Sequence, residues 1–174
     1  MRLEIWPDRD CENPCDWDHT WKIYSFSRKH INQAHPDEFI TAKGGWNFRY
    51  ARKADVGLCF ALSYFEHGGC EWSIIGDGMQ CRWDSVRFAG VAVWGGKPED
   101  IGGKTRDERM KDLRGFLKTY NAWCNGDCCG WSLIDDDGEI VESCGGYYGA
   151  DDLLECFRQE YPEYADLEPE YSYC

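Results

Sequence analysis

Two apolar runs constrain the fold of this chain more than any other feature. Residues 56–65 and residues 88–94 are rich in apolar and aromatic side chains, and each run is too short for a buried helix. A run of that length is typical of a mostly buried strand. Gly68 and Gly69 turn the chain after the first run, and the alternating residues 71–75 return beside it. The sequence therefore predicts a sheet in which the second run is a central strand.

Periodicity and turn residues predict the elements that follow. Residues 105–124 repeat their apolar side chains at steps of three and four, which predicts a long amphipathic helix that ends before Gly126. Residues 131–134 and 140–143 flank the step Asp137-Gly138, which is a strong signal for a β-hairpin. A helix and a hairpin are therefore expected in the second half of the chain.

The predicted fold class is α+β, as a single domain that covers residues 1–174. We expect a mainly antiparallel sheet, the long helix at about residues 105–124 and a short C-terminal helix at about residues 150–161. Residues 162–174 are predicted to be a flexible acidic tail. The further expectations are strands at residues 3–6 and 21–26, an irregular region at residues 27–53 with a helical turn near residues 37–39, and a glycine-bounded loop at residues 145–149.

Charge restricts the partners of the chain. It carries 32 acidic and 19 basic side chains, a formal net charge of −13. Such a balance opposes contact with bare phosphate backbones, so direct nucleic-acid binding is not expected. The acids are concentrated near the N-terminus, at residues 135–142 and from residue 151 onward, whereas residues 19–53 are locally basic. The protein is therefore expected to have two electrically distinct faces.

Eleven cysteines are many for 174 residues. The first residues lack the pattern of a secretory leader and no stretch has the length of a membrane span, so we expect a cytoplasmic protein with reduced thiols and no membrane contact. Cys59 and Cys156 lie in apolar stretches and are expected to be small core residues. No cofactor is expected. The alternative is a structural zinc ion, for which the permissive spacing is that of Cys11, Cys15, Cys124 and Cys128.

A polar island between the two apolar runs holds the candidate catalytic residues. Glu66 and His67 lie in the predicted hairpin loop, and Asp84 and Ser85 precede the second run. A histidine that titrates near neutrality, beside carboxylates and a hydroxyl, has the components of a nucleophile and its base. The competing interpretation is that His67 ends a hairpin and Asp84 caps a turn. No hydrolase signature supports catalysis.

Three strings combine aromatic side chains with polar or charged ones: Tyr64-Phe65-Glu66-His67-Gly68-Gly69, Cys81-Arg82-Trp83-Asp84-Ser85, and Glu142-Ser143-Cys144-Gly145-Gly146-Tyr147-Tyr148-Gly149. Together with others between residues 58 and 150, they resemble segments of uncharacterised small proteins from bacteriophages and other mobile elements. This chain has Glu66, Gly68 and Glu142 where that group has Asp, Ser and Asp. The resemblance implies a phage or mobile-element accessory protein and carries over no activity.

In that context the acidic segments predict a non-enzymatic inhibitor. The hypothesis is that carboxylates occupy the basic nucleic-acid-binding surface of a host defence nuclease, of CRISPR or restriction type, by mimicry or steric block. The alternative interpretation is that the same acids only keep an aromatic-rich protein soluble. Two other classes remain open: a small enzyme or nucleotide- or small-ligand-binding protein centred on His67 and Asp84, and a structural or interaction accessory of the phage particle. The candidate partner-binding residues are Asp135, Asp136, Asp137, Glu139, Glu142, Asp151, Asp152, Glu155, Glu160 and Glu163.

Overall fold

The computed structural model describes residues 1–78 and 81–172, and the elements below are those of the described residues. Contacts divide the chain into two compact units, unit 1 (Met1–Asn13 and Ala122–Cys174) and unit 2 (Pro14–Asn121). The strands are β1 (Arg2–Pro7), β2 (Trp21–Ser25), β3 (Cys59–Glu66), β4 (Cys70–Ile74), β5 (Ser85–Trp94), β6 (Cys128–Ile134), β7 (Ile140–Tyr148) and β8 (Pro169–Tyr171), and the α-helices are α1 (Phe48–Asp55), α2 (Arg106–Cys124) and α3 (Ala150–Glu160).

The sheet of unit 2 is built from the two apolar runs. Its four strands are antiparallel in the order β2-β5-β3-β4, so β5 is a central strand as the sequence predicts. Leu62 of β3 and Val91 of β5 are completely buried, which explains why both strands read as continuous apolar runs rather than as alternating ones. The hairpin of β3 and β4 pairs Glu66 with Cys70 across the predicted glycine turn.

Helix α2 has the predicted span to within one residue. Leu113, Leu117 and Tyr120 are its buried side chains, at steps of four and three, and they form the apolar stripe. The helix begins with a capping box, in which Thr105 Oγ1 accepts from the Glu108 amide at 3.2 Å and Glu108 Oε2 accepts from the Thr105 amide at 2.8 Å. These bonds satisfy amides that the first turn of a helix leaves without partners.

The sheet of unit 1 has the strand order β7-β6-β1-β8. Strand β1 is antiparallel to β6 and parallel to β8, and β6 and β7 form the hairpin predicted around Asp137-Gly138. Helix α3 packs on one face of this sheet through Leu153 and Phe157, whose ring lies 4.9 Å from that of Trp131. The buried core of this face consists of Leu3, Ile5, Cys129, Trp131, Leu133, Leu153 and Phe157.

Both sheets are rich in antiparallel pairs and carry few helices, which confirms the α+β class and the two predicted helices. The single-domain assignment stays a prediction. Residues 162–174, predicted as a flexible acidic tail, contain a 3-10 helix at Pro162–Tyr164 and strand β8, and residues 173 and 174 lie outside the described part of the chain. None of the described helices combines the length and apolarity needed to cross a bilayer.

Three local predictions are wrong. Residues 27–53 are not irregular throughout, because α1 begins at Phe48; this helix has only eight residues, fewer than the window in which helical periodicity is recognised. Residues 145–149 are not a loop, because β7 continues to Tyr148. A side chain at Gly145 would meet the Trp6 ring at 2.9 Å, so this glycine serves close packing and not a turn. Cys156 is exposed on α3, whereas Cys59 is buried as predicted.

Candidate functional site

The four candidate catalytic residues lie together at one end of the unit 2 sheet. Glu66 is the last residue of β3, and Ser85 is the first residue of β5, which pairs with β3 in antiparallel register. His67 follows in the hairpin turn, and Asp84 immediately precedes β5. The Glu66 amide donates to the Asp84 carbonyl at 3.0 Å, which fixes the two acidic residues side by side. Antiparallel pairing thus assembles the island from segments 18 residues apart.

The side chains of this island form a contact between a histidine and a carboxylate, and a turn. His67 Nδ1 lies 3.4 Å from Asp84 Oδ2, with the two side chains 77% and 36% exposed. The Cys81 thiol donates to the same Asp84 oxygen at 3.6 Å. Ser85 Oγ accepts from the Cys81 amide at 2.8 Å, and the Ser85 amide donates to the Cys81 carbonyl. The Ser85 hydroxyl therefore closes the turn before β5, and the His67 ring lies in solvent.

A cavity of about 450 Å³ opens beside this island. Glu66, Asp84 and Ser85 line it, whereas His67 does not. Five further wall residues lie within the island or next to it in the chain, namely Tyr64, Trp83, Val86, Phe88 and Ala89. Sequence reasoning missed the other five, because they are far from the island in the chain and spacing offered no signal for them; only the locally basic character of residues 19–53 pointed to their segment. These five residues are Ser25, Phe26, Ser27, Lys29 and His30.

His30 and Tyr64 form the polar and aromatic inner wall of the cavity. His30 Nδ1 is 2.7 Å from the buried Ser25 Oγ, and its ring contacts that of Tyr64 edge to face with 4.9 Å between centroids. The ring of Tyr64 also packs against Trp72, which is buried. Burial, reinforced by Cys70 and the Glu66 carboxylate, raises the pKa of the Tyr64 phenol. Tyr64 is therefore a neutral hydroxyl at physiological pH.

A second cavity in unit 2 is larger, at about 750 Å³, and contains a His-Asp pair. His19 Nδ1 lies 2.9 Å from Asp100 Oδ2, and His19 has a backbone φ of +50°, the one positive φ outside glycine in the described residues. Asp112 accepts from the Trp21 indole at 2.8 Å, and Glu108 caps α2. We assign the candidate ligand site to the smaller cavity, because three of the four candidate catalytic residues, Glu66, Asp84 and Ser85, line it and none lines the larger one.

All ten candidate partner-binding acids belong to unit 1. Two of them hold local structure: Asp135 Oδ1 accepts from the Asp137 and Glu139 amides at 3.0 and 2.9 Å, and Asp136 pairs with the N-terminal amine at 2.5 Å. Glu142 accepts from the Tyr161 hydroxyl and raises the pKa of that phenol to about 12. The members that are exposed to solvent are Asp136, Asp137, Glu139, Glu142, Asp151, Glu155, Glu160 and Glu163.

Division of the charge between the units is the most pronounced electrostatic feature of the molecule. Unit 1 contains 18 acidic and three basic side chains, a formal charge of −15. Unit 2 contains 14 acidic and 16 basic side chains, a formal charge of +2. Three basic side chains cannot neutralise 18 acidic ones within unit 1. The net negative charge of the protein therefore resides in one of its two units.

Of the four cysteines proposed as zinc ligands, Cys128 is buried and Cys11, Cys15 and Cys124 are partly exposed. Burial and the neighbouring Cys128 raise the pKa of Cys11 to about 12, and burial raises the pKa of Cys15 to about 11. Zinc binds thiolates, which such environments disfavour. Within residues 1–78 and 81–172, the structure contains no group of three or more His, Cys, Asp or Glu side chains that could hold a metal ion.

Comparison with protein-family models, curated proteins and solved structures finds no match to this chain. Functional inference therefore rests on the geometry and charge of the two units.

Proposed function

We propose that this protein is a non-enzymatic inhibitor whose unit 1 binds the basic, nucleic-acid-binding surface of a host defence protein. The observation that carries the proposal is the charge of unit 1, 18 acidic against three basic side chains. A surface with this excess attracts the Lys- and Arg-rich sites that normally hold phosphates. Blocking such a site excludes the nucleic acid, so the inhibitor requires no catalytic step.

The exposed acids of α3 and of the β6–β7 hairpin support this role. Asp151 and Glu155 are one helical turn apart on α3, and Asp137 and Glu139 protrude at the hairpin tip. Carboxylates on rigid elements hold their positions without a large entropic cost on binding. The resemblance to phage and mobile-element proteins supports a partner of CRISPR or restriction type, met in the cytoplasm of the host cell.

The test is inhibition of purified CRISPR and restriction effectors, measured as loss of DNA binding and cleavage. Asp151→Asn, Asp152→Asn and Glu155→Gln together should reduce the association rate with the effector by about tenfold or more. A matched triple variant in unit 2, at the exposed residues Asp55, Glu99 and Asp107, should retain inhibition. Affinity should also fall steeply as salt is raised. Equal inhibition by both triple variants, or affinity that is independent of salt, contradicts the proposal.

A second candidate function is small-ligand binding by unit 2. The specific observation in its favour is the 450 Å³ cavity, which has a volume typical of ligand sites and includes Glu66 and Asp84 in its wall. His67→Ala distinguishes binding from catalysis, because His67 lies outside the cavity wall. If unit 2 is an enzyme that uses His67 as its base, this variant loses turnover; if unit 2 only binds a ligand, it keeps its affinity.

A further inference from the structure

We infer that the 450 Å³ cavity of unit 2 binds a nucleobase that carries a phosphate, either as a free nucleotide or within a single-stranded nucleic acid. This inference rests on the second candidate function and is independent of the acidic surface of unit 1. Three features of the wall carry it: flat aromatic surfaces, carboxylates that accept hydrogen bonds, and a lysine. Together these match the face of a base, the donors on its edge and a phosphate better than they match a simple cation or a lipid.

Aromatic rings provide the surface for a flat ligand. Trp83 is 84% exposed at the cavity, and Phe88, on the same strand as Val86, is partly exposed beside it. The rings of Phe26 and Phe88 lie 5.3 Å apart, and the ring of Tyr64 forms the inner wall. The Arg82 guanidinium lies 5.4 Å from the centroid of the Trp83 ring, and Trp83 still exposes apolar surface that a stacked base would bury. Stacking of a base on such side chains is tolerant of sequence and contributes about 1–3 kcal/mol per base.

Two carboxylates provide the polar recognition. Glu66 and Asp84 are held side by side by the hydrogen bond between the Glu66 amide and the Asp84 carbonyl. An ionised carboxylate only accepts hydrogen bonds, so it selects a ligand edge that donates them. Nucleobases present N–H donors on their edges, and guanine presents two adjacent donors that a single carboxylate can accept together. A guanine nucleotide is therefore expected to bind more tightly than a uracil nucleotide.

Lys29 provides a cation for the phosphate. It is exposed, and it lines the same cavity. The formal charge of unit 2 is +2, so its net charge does not repel an anion, whereas the net negative charge of unit 1 would. A lysine near aromatic walls is the usual pairing at sites that bind single-stranded nucleic acids and nucleotides.

Isothermal titration of the intact protein with GMP, guanosine, UMP, choline and a short single-stranded DNA oligomer tests the inference. Binding of GMP, with guanosine weaker, is the expected result. Tight binding of GMP alone identifies a nucleotide site, and tighter binding of the oligomer identifies a site for a strand. No binding of any nucleotide at millimolar concentration, or binding of choline in preference to GMP, overturns the inference.

Variants locate the site. Glu66→Gln and Asp84→Asn should each weaken GMP about tenfold or more, because each alters a charged acceptor. Trp83→Ala should weaken GMP and guanosine alike, by about fivefold or more. Lys29→Ala should weaken GMP and leave guanosine unchanged, with Arg28→Ala as the matched control. Unchanged affinity in both carboxylate variants, with folding verified by circular dichroism, also overturns the inference.

The proposed inhibition by unit 1 and the proposed nucleotide site of unit 2 can be refuted independently of each other. The triple variant of α3 described above should keep the affinity for GMP, since its three residues belong to unit 1. Conversely, Trp83→Ala should keep the inhibition of a host effector. Loss of both properties in either variant identifies misfolding, which circular dichroism detects directly.

Discussion

Replacement of Asn121 by Ala should destabilise unit 2 by removing the cap of an edge strand. Strand β4 is at the edge of its sheet, and the Asn121 amide from α2 takes the place of a further strand. Asn121 Oδ1 accepts from the Trp72 amide at 2.8 Å, and Asn121 Nδ2 donates to the Trp72 carbonyl at 3.0 Å. One side chain thus satisfies both backbone groups of a residue whose surface is only 3% exposed.

The expected loss follows from these two bonds. A hydrogen bond of this kind contributes about 0.5–1.5 kcal/mol net, and a buried backbone group left without a partner costs about 1–3 kcal/mol. Because water can reach part of the gap beside a half-buried asparagine, we expect the lower part of the combined range, about 2–4 kcal/mol. This loss should lower the melting temperature by roughly 10 °C.

Urea unfolding monitored by tryptophan fluorescence and circular dichroism measures the change. Asn47→Ala is the matched control, because the Asn47 amide is half-buried and donates one long bond of 3.4 Å to the Asp37 carbonyl; it should cost less than about 1 kcal/mol. Asn121→Asp should be destabilising at neutral pH and less so in acid, where a protonated carboxyl can again donate to the Trp72 carbonyl. Equal stability of Asn121→Ala and Asn47→Ala would refute this account of the strand edge.

Three further changes have expected outcomes. Gly130→Ala should cost about 1–3 kcal/mol or more in urea unfolding, because its methyl group would overlap the Trp6 ring. Backbone amides hold the pKa of Glu108 below its ordinary value, so the stabilisation by Glu108 is present at neutral pH and is lost as pH falls through that lowered pKa. The melting temperatures of Glu108→Gln and the native protein should therefore differ at pH 7 and converge in acid. Burial raises the pKa of Cys59 to about 12, so iodoacetamide should alkylate the exposed Cys144 and Cys156 before Cys59, as peptide mass spectrometry would detect.

Local sequence rules predicted those parts of the fold that neighbouring residues determine. Glycine readily adopts a positive φ, so the step Asp137-Gly138 determines where the hairpin turns. The spacing of Leu113, Leu117 and Tyr120 identifies the buried face of α2. Gly145 was misassigned because its requirement is not local. Its missing side chain leaves room for Trp6, which is 139 residues earlier in the chain.

The candidate ligand site was predictable only in part, for the same reason. Glu66 ends the first strand of a hairpin, and Asp84 precedes the strand that pairs with it. Apolar patterning of these strands therefore places both residues at the same end of the sheet. Phe26 and His30 line the cavity and belong to the segment that follows β2. Strand β2 pairs with β5, which is far from it in the chain. No pattern within residues 21–30 encodes that pairing.

The net charge of a chain is informative about partners only when its distribution is known. A value of −13 predicts that the protein avoids nucleic acids, and this argument holds for unit 1, whose formal charge is −15. It does not hold for unit 2, whose formal charge is +2 and whose cavity contains Lys29 and the exposed ring of Trp83. One chain can therefore present an acidic surface to a basic protein and a separate site to a nucleotide.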